Sequence, residues 1–351
     1  MKARKTMRVT WYSKGFKPSA FSSIKNYVLG QKHNYDYLTA SLWIRCLQII
    51  PYLEKLNIEC CTNDGSSLDT DIGIIMRWQD ADAYELINKL RNHDVKTILD
   101  VCVNYFDGPV EFTEGYGVSK VQVEEMRRIA PVADVITCSS TYIQERASEL
   151  NPRAICIPDS INLEHFRLRK KSGDYSGRIP RAIWAGHSVK ASEVVDLYPI
   201  LRQRGIPLTV ISNQKISIPG PHRFIPWSYQ SFPENIMGGD FCISPRRTDN
   251  SYDLGHSHFK IGVFMAQGVP ALCSALPSYV ELIGKTNGGM ICQSHLDWVK
   301  VLDNILEDRN SLWRWSTGAY EGMRCYSTAV IAMSYMEVFE TLVSGGGINS
   351  H

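Results

Sequence analysis

The sequence predicts an α/β protein built from two doubly wound domains, each with a parallel sheet covered by helices on both faces. The chain has 351 residues, more than one hydrophobic core usually serves. Short apolar runs rich in β-branched residues alternate with amphipathic stretches along most of the chain. This alternation lapses once, in the charged, glycine-containing stretch FRLRKKSGDYSGRIP. We therefore expect one domain on each side of that stretch.

The first domain is predicted over residues 1–166. Its strand-like runs are MRVTWYS, DIGIIM, KTILDVCV, DVITCSS and AICIP. Helical stretches, among them ADAYELINKLRNH and TYIQERASEL, stand between them. Residues 167–180 are predicted to be an interdomain linker.

The second domain is predicted over residues 181–325. Its strand-like runs are RAIWAG, PLTVIS, HRFIPW, DFCISP, VPALCS and GGMIC. The helical stretches include ASEVVDLYPILRQRG and LDWVKVLDNILED. Apolar residues continue at helical spacing into the tail, so residues 326–351 are predicted to form a crossing helix and tail that pack back on the first domain.

Composition is typical of a globular protein, with 44% hydrophobic and 21% charged residues and a formal net charge of +2. Ten cysteines show neither CxxC pairs nor regular spacing, which indicates buried thiols in a reducing compartment. No apolar run reaches the 18 residues of a membrane span, and no leader segment is recognised before MRVTWYS. We expect a cytoplasmic protein without a nucleic-acid partner.

The first 32 residues carry eight lysines and arginines and no acidic residue. A solvated surface explains this basic edge. Attraction to anionic lipid headgroups at the inner membrane face, or to a phosphorylated acceptor, is the other interpretation.

The turn after RAIWAG is a candidate phosphate site, because ligands of doubly wound sheets bind beyond the carboxyl ends of strands. Gly186 follows the strand directly, and Lys190 lies at the start of the next helix. Free amides and the helix dipole at such a turn favour a phosphate. A glycine that merely closes a strand, and a solvated lysine, remain the alternative. The dinucleotide pattern GxGxxG and the Walker pattern are both absent.

The turn after DFCISP is a second candidate. We predict a helix that begins near Ser257, with Ser257 as N-cap, and ends at Gly268. Lys260 would lie in its first turn, where a cation is unfavourable unless an anion is bound. A lysine reaching out to water is the alternative.

This second stretch resembles glycosyltransferase family 4 and related GT-B enzymes. The residues that carry the resemblance are Lys260, Ala266, Gly268, Pro270, Ser274, Pro277, Ser278 and Glu281. Three further family segments are similar, in the same order, to the stretches ADVITCSSTYIQERASELNPRAICIPDSINLEHF, AIWAGHSVK and FIPWSYQSFPENIMGGDFCISP. The resemblance covers roughly residues 130–310.

The resemblance implies a GT-B fold, in which two Rossmann-like domains face a cleft. It implies transfer of a sugar from a nucleoside diphosphate sugar to a glycan, lipid-linked or small-molecule acceptor, in glycan or glycoconjugate synthesis. Retention of the anomeric configuration is implied as well. Neither a cofactor nor a metal is expected, since helix amides and cationic side chains would neutralise the leaving diphosphate.

Carried over by position, the resemblance implies a set of donor-side residues. Lys260 and Lys190 would act in catalysis at the diphosphate. The other donor-binding candidates are Gly186, His187, Trp227, Ser228, Ser257 and Glu281. Gly255 and Val263 stand where many members carry two glutamates, so Asp249, Asp253 or His256 would have to hold the ribose.

The first domain departs from the family most. It has no glycine-rich loop after MRVTWYS and offers Tyr37, Ser41 and Arg45 there. Arg45 is predicted either to contact acceptor or phosphate or to form a structural salt bridge. Asn104 and Asp107 follow a strand and could bind the acceptor or act as base; an Asx turn is the alternative.

Two other functions fit the same fold. The missing glutamate pair is compatible with a catalytically silent binding protein, and a GT-B sugar-nucleotide epimerase is conceivable. Transfer or hydrolysis with a panel of nucleotide sugars separates the first from a glycosyltransferase. Product analysis without acceptor reveals the second.

Overall fold

The structure, a computed structural model, describes residues 6–14, 16, 40–113, 116–175 and 178–346. Tyr37 and most of the basic residues before position 33 lie outside them. Of the basic edge, Arg8 contacts Glu59 and Asp69, and the Lys14 ammonium contacts the carboxylates of two aspartates of the same unit. The chain divides into two compact units, residues 1–160 with 328–351, and residues 161–327.

The first unit contains a six-stranded parallel sheet in the order β2-β1-β3-β4-β7-β8. Central strand β3 is buried along its whole length, as expected for a parallel sheet with both faces covered. A separate antiparallel pair joins β5 and β6. The strands are β1 (Met7–Tyr12), β2 (Ile58–Asn63), β3 (Ile72–Met76), β4 (Lys96–Val101), β5 (Val110–Thr113), β6 (Tyr116–Val118), β7 (Val135–Cys138) and β8 (Ala154–Cys156).

Serine residues cap two helices of the first unit. Ser119 and Gln122 form a reciprocal capping box at α3, and the Ser140 hydroxyl caps α4. A turn at Ala40–Leu42 continues as a π-helix, Trp43–Leu47. The helices are α1 (Ile50–Lys55), α2 (Ala81–Asn92), α3 (Lys120–Ile129), α4 (Thr141–Ser148) and, from the end of the chain, α12 (Thr328–Ser344).

The C-terminal helix α12 belongs to the first unit. Ile331, Tyr335, Phe339 and Leu342 lie on one face of this helix and join the hydrophobic core of that unit. The apolar spacing of the tail therefore reflects burial against the first domain.

The second unit contains another six-stranded parallel sheet, in the order β11-β10-β9-β12-β13-β14. The predicted fold class, two doubly wound α/β units, is confirmed. The strands are β9 (Ala182–Ala185), β10 (Leu208–Ser212), β11 (Arg223–Pro226), β12 (Phe241–Ser244), β13 (Ala271–Cys273) and β14 (Gly289–Ile291). The helices are α5 (Ser192–Gln203), α6 (Phe232–Ile236), α7 (Ser251–Leu254), α8 (Phe259–Met265), α9 (Pro277–Thr286), α10 (His295–Glu307) and α11 (Asn310–Gly322).

Helix α8 is shorter than the sequence predicts. It begins at Phe259, and Ser257 is not its N-cap residue. Beyond Met265 the chain makes a hydrogen-bonded turn to Gly268, where φ is +73°, a left-handed conformation that ends the helix. The short helix α7, which precedes it, falls in what the sequence predicts to be an irregular loop.

The segment predicted as linker, residues 167–180, contains buried side chains that pack within the second unit. The Lys170 ammonium donates to the Met237 carbonyl at 2.9 Å and lies 3.3 Å from the buried Asp240 carboxylate. The Tyr175 hydroxyl donates to the Gly268 carbonyl at 3.0 Å.

Arg45 lies in the π-helix of the first unit and is 1% exposed. Its Nε and Nη2 donate to the two oxygens of Asp100 at 2.8 Å each, and its Nη1 donates to Asp159 at 2.9 Å. Tyr335 of α12 donates to the same Asp100 at 3.1 Å. Of the two alternatives for Arg45, the structural salt bridge is the one present among the described residues, and the guanidinium that forms it is buried.

No helix among the described residues is both long enough and apolar enough to cross a bilayer.

Replacing Arg45 by Met should lower the free energy of unfolding by about 3–5 kcal/mol, because it leaves the Asp100 carboxylate buried without its main partner. Urea unfolding of the purified variant measures this. Arg247→Met is the matched control: Arg247 pairs with Asp249 on the surface, so its loss should cost about 0–1 kcal/mol. A loss below about 1 kcal/mol for Arg45→Met contradicts the structural role.

Candidate functional site

The candidate site lies in the second unit, where β9 and β12 are neighbours in the sheet. Strand order reverses at this point, since β10 and β11 lie on one side of β9 and β12 to β14 on the other. The crevice at the carboxyl ends of such a strand pair is the usual ligand position of doubly wound sheets. The segments that follow the two strands bring four of the predicted residues together, namely Lys190, Asp253, His256 and Lys260.

Lys190 and His256 form a direct hydrogen bond, with 3.1 Å between Nζ and Nε2. The other ring nitrogen, Nδ1, lies 2.8 Å from the Tyr252 carbonyl oxygen. Because a carbonyl oxygen only accepts, Nδ1 carries the proton and Nε2 accepts from the Lys190 ammonium. Burial and the nearby charges of Arg246 and Lys190 hold the pKa of His256 well below its usual value, so this histidine is neutral.

Lys260 projects from the first turn of α8 and is largely buried, with 22% of its side chain exposed. Its ammonium lies 3.8 Å from Oε2 of Glu193 and 5.0 Å above the centre of the Trp184 ring. A cation over the face of tryptophan is attracted by the π-electrons. The side chain is thus held between β9 and α5, and the solvated alternative for Lys260 is not what the structure shows.

Arg246 connects the two turns. Its Nη1 donates to Glu193 at 3.0 Å and its Nη2 donates to Asp253 at 2.7 Å. The side chain is 2% exposed, and the Asp253 carboxylate also lies 3.8 Å from the Lys190 ammonium. We call these six residues the basic cluster: Lys190, Glu193, Arg246, Asp253, His256 and Lys260.

The basic cluster holds more positive than negative charge. Three cations, Lys190, Arg246 and Lys260, face two carboxylates, and the histidine is neutral. Burial, together with Arg246, lowers the pKa of Lys190 to about 7. Burial lowers the pKa of Lys260 to about 8, again with Arg246 acting in the same direction. A bound anion would relieve this repulsion, so the cluster has the electrostatics of an anion site.

Arg246 and Glu193 were not predicted from the sequence. The only signal for Arg246 is its place directly after the strand DFCISP, within a pair of arginines. Glu193 lies in the first turn of α5, where an acidic residue is ordinary. Their pairing spans 53 positions of the chain and becomes visible only in the fold.

Asp253 and His256 lie in the cluster, but their polar atoms already have partners. Asp253 accepts from Arg246 through Oδ1 and from Asn250 through Oδ2, the latter at 3.0 Å. Both nitrogens of His256 are hydrogen-bonded. Asp249 is exposed and pairs with Arg247. All three side chains therefore have partners among the described residues.

The turn after β9 differs from the expected row of free amides. The Ser188 amide donates to Asn213 at 2.8 Å, and the Lys190 amide donates to the His187 carbonyl at 2.9 Å. The His187 ring is exposed and accepts from the Val189 amide at 3.5 Å. The expectation that this helix start offers free amides to a phosphate is therefore wrong for these residues, because the protein itself satisfies them.

Gly186 is required by packing. A Cβ atom at this position would lie 2.6 Å from the ring of Trp184, the residue under Lys260. Any larger residue would displace the tryptophan that positions this lysine.

Ser257 lies at the second turn, two positions before the first residue of α8. Its hydroxyl oxygen accepts a weak hydrogen bond from the Phe259 amide at 3.4 Å.

The remaining donor-side candidates lie elsewhere in the second unit. Trp227 and Ser228 follow β11 at the edge of the sheet and are exposed. The Trp227 amide donates to the Ser212 carbonyl at 2.9 Å, which fastens this turn to the end of β10. Glu281 lies half-buried in the middle of α9.

Asn104 and Asp107 lie in the first unit beyond β4. The Asn104 side-chain oxygen Oδ1 accepts from the Phe106 amide at 3.1 Å, and its Nδ2 donates to Asp107 at 2.8 Å. Asp107 also accepts from Arg146 at 2.7 Å. The Asx turn is therefore present, Asn104 is 1% exposed, and the Asp107 carboxylate is engaged with an arginine.

Comparison with protein-family models gives no match, and comparison with curated proteins gives none either. Several solved structures do match. Sucrose-phosphate synthase from Thermosynechococcus elongatus is 10% identical, with a TM-score of 0.69 over 97% of this chain and 100% of that chain. HepE from Anabaena, solved in complex with UDP, is 10% identical, with a TM-score of 0.63 over 96% of this chain and 100% of that chain.

A third structure is that of a protein from Listeria monocytogenes assigned as a UDP-N-acetylglucosamine 2-epimerase. It is 11% identical, with a TM-score of 0.53 over 98% of this chain and 99% of that chain. The first two structures are GT-B glycosyltransferases. The likeness covers nearly the whole chain and shows that it has the two-domain GT-B fold.

Replacing Arg246 by Met should raise the pKa of Lys190 and of Lys260, because it removes a neighbouring cation and leaves two carboxylates facing the lysines. NMR titration of the lysine side chains measures these pKa values. Arg247→Met, one position along, should leave both unchanged, since Arg247 is exposed and pairs with Asp249. Unchanged or lowered lysine pKa values in Arg246→Met contradict this account of the cluster.

Proposed function

We propose that this protein is a glycosyltransferase that moves a sugar from a nucleoside diphosphate sugar to an acceptor. The observation that carries the proposal is the basic cluster, which gathers three buried or half-buried cations at the strand ends where doubly wound folds bind their ligands. Its excess positive charge suits a diphosphate. The resemblance to family 4 and the GT-B fold support the same activity.

The chemistry assigned to the cluster is stabilisation of the leaving group. As the bond between sugar and diphosphate breaks, negative charge grows on the diphosphate oxygens. Lys260 and Lys190 are placed to neutralise that charge, and Arg246 holds the segments that carry them. Fixed cations in a partly dehydrated site lower the barrier because they need not reorganise during the reaction. We propose that these side chains act without a metal and that the anomeric configuration is retained, as in family 4.

Uridine nucleotides are the first donors to test. HepE was solved with UDP, with UDP and glucose, and with UDP-glucose. The base and ribose are proposed to lie near Trp227 and Ser228. Trp227 is 41% exposed, so its indole is available for stacking. The acceptor is proposed to be a glycan, lipid-linked or small molecule, met in the cytoplasm or at the inner membrane face.

An epimerase is the second candidate, because the structure from Listeria monocytogenes shares the fold over nearly the whole chain. Incubation with UDP-sugars in the absence of acceptor distinguishes the two. Conversion to the epimeric nucleotide sugar identifies an epimerase, whereas release of UDP indicates transfer or hydrolysis. Neither product, with UDP still bound, identifies a catalytically silent binding protein.

Lys260→Ala should reduce donor turnover by about 2 kcal/mol or more of transition-state stabilisation, roughly 30-fold in kcat/KM. The measurement is UDP release from the donor that the wild-type protein accepts. Lys285→Ala, which removes an exposed lysine from α9 of the same unit, is the control and should be neutral. Unchanged turnover in a folded Lys260→Ala variant contradicts the assignment.

Affinity for UDP should fall as the pH rises from 7 to 9. The ammonium forms of the lysines bind the diphosphate, and their pKa values in the free protein are about 7 for Lys190 and about 8 for Lys260. Each lysine that must regain a proton on binding weakens the complex by up to about tenfold per pH unit above its pKa. Isothermal titration at several pH values gives the affinities. An affinity that is constant or rises over this range contradicts diphosphate binding by the cluster.

A further inference from the structure

A pocket of about 540 Å³ lies in the second unit beside the basic cluster. It opens at the carboxyl ends of β12, β13 and β14, between helices α5 and α10, and we call it the α5–α10 pocket. Its volume falls within the roughly 300–1,000 Å³ of small-molecule sites. Arg246 and Glu193 contribute to its lining, whereas Lys190, His256 and Lys260 do not.

Four side chains bring unused hydrogen-bonding groups to this pocket. They are Asp196 of α5, Thr248 after β12, and Gln293 and His295 at the start of α10. Asp196, Thr248, Gln293 and His295 show no side-chain hydrogen bond or ion pair to any described residue. Carboxylate, amide, hydroxyl and imidazole groups from three segments therefore converge on one space, and together they accept and donate several hydrogen bonds.

Another part of the lining is apolar. Leu197 and Ile200 of α5 and Trp298 of α10 belong to the pocket and are otherwise buried. A ligand that fits both parts has an apolar face and a rim of hydrogen-bonding groups. Sugar rings combine these properties, because the C–H faces are apolar and the hydroxyls lie around the edge.

The charges around the pocket disfavour an anion. The amides of Gln293 and Ser294, just before α10, donate to the Asp297 carboxylate at 3.1 and 2.9 Å. The Arg246 guanidinium is engaged with Glu193 and Asp253. Asp196 adds an exposed negative charge. A phosphate here would meet the carboxylates of Asp196 and Glu193, and the one arginine of the lining is already paired with carboxylates.

We propose that the α5–α10 pocket is a binding site for a neutral, hydroxyl-rich ring, of the size of a mono- or disaccharide. The site is separate from the lysines to which we assign the diphosphate. It contacts the basic cluster only through Arg246 and Glu193, so binding at the two places is not mutually exclusive. This proposal does not require the chain to be a glycosyltransferase.

Saturation-transfer NMR of the full chain with glucose, galactose, N-acetylglucosamine and sucrose tests the proposal. At least one of these sugars should give saturable transfer, with and without saturating UDP and also in Lys260→Ala. Inorganic phosphate and choline are the charged comparisons and should bind more weakly than that sugar. Binding of UDP, measured on the same samples, tests the proposed function separately.

The double variant Asp196→Ala/Gln293→Ala should weaken sugar binding about tenfold or more, because it removes two exposed hydrogen-bonding groups without touching the core. Glu340→Ala, which removes an exposed glutamate from α12 of the first unit, is the control and should leave it unchanged. The proposal is overturned if no sugar binds saturably, if phosphate or choline binds better, if UDP displaces the sugar, or if the double variant binds as the wild type does.

Discussion

Arg246 is the residue on which the geometry of the basic cluster depends. It is buried just beyond Pro245, which follows β12; its Nη1 donates to Glu193 of α5 and its Nη2 donates to Asp253 of α7. These two carboxylates in turn lie 3.8 Å from the two lysines. One guanidinium thereby fixes the segment after β9 and the segment after β12 relative to each other. A buried ion pair of this kind contributes little net stability, but it fixes the relative positions of the groups around it.

The same arginine makes the cluster receptive to an anion. Its charge is largely offset by Glu193 and Asp253; burial is the main cause of the lowered pKa of the neighbouring lysines and of His256, and Arg246 acts in the same direction. The pKa values of Lys190 and Lys260, about 7 and about 8, therefore lie close to neutral pH. A diphosphate would supply the missing negative charge and stabilise both ammonium groups. Binding of the diphosphate is therefore linked to proton uptake by the two lysines.

The sequence predicts the fold well because the fold depends on local patterns. Apart from β2 and the β5–β6 pair, which the sequence does not predict, the alternating strands and helices of both units follow the apolar periodicity, and α12 follows the helical spacing of the tail. The two lysines of the cluster could be predicted as well. Lys190 stands shortly after the end of β9, and Lys260 lies in the first turn of a helix that resembles the family 4 segment.

The rest could not be predicted because it depends on pairings distant in sequence. Arg246 and Glu193 meet across 53 positions, and Arg45 meets Asp100 across 55. Free amides were expected after β9, but Asn213, from the end of another strand, occupies one of them. Ser257 has the residue type of an N-cap, yet the helix begins two residues later. Local propensity indicates a type of site, and only the fold decides which polar atoms remain available.

The most direct test of the account is an NMR titration of the isotope-labelled chain with UDP, observed at the lysine side chains at pH 8. We expect the signals of Lys190 and Lys260 to shift towards those of the ammonium form, while exposed Lys285 stays unchanged. Binding of UDP that leaves both cluster lysines unperturbed would contradict the central claim, and so would the absence of any binding.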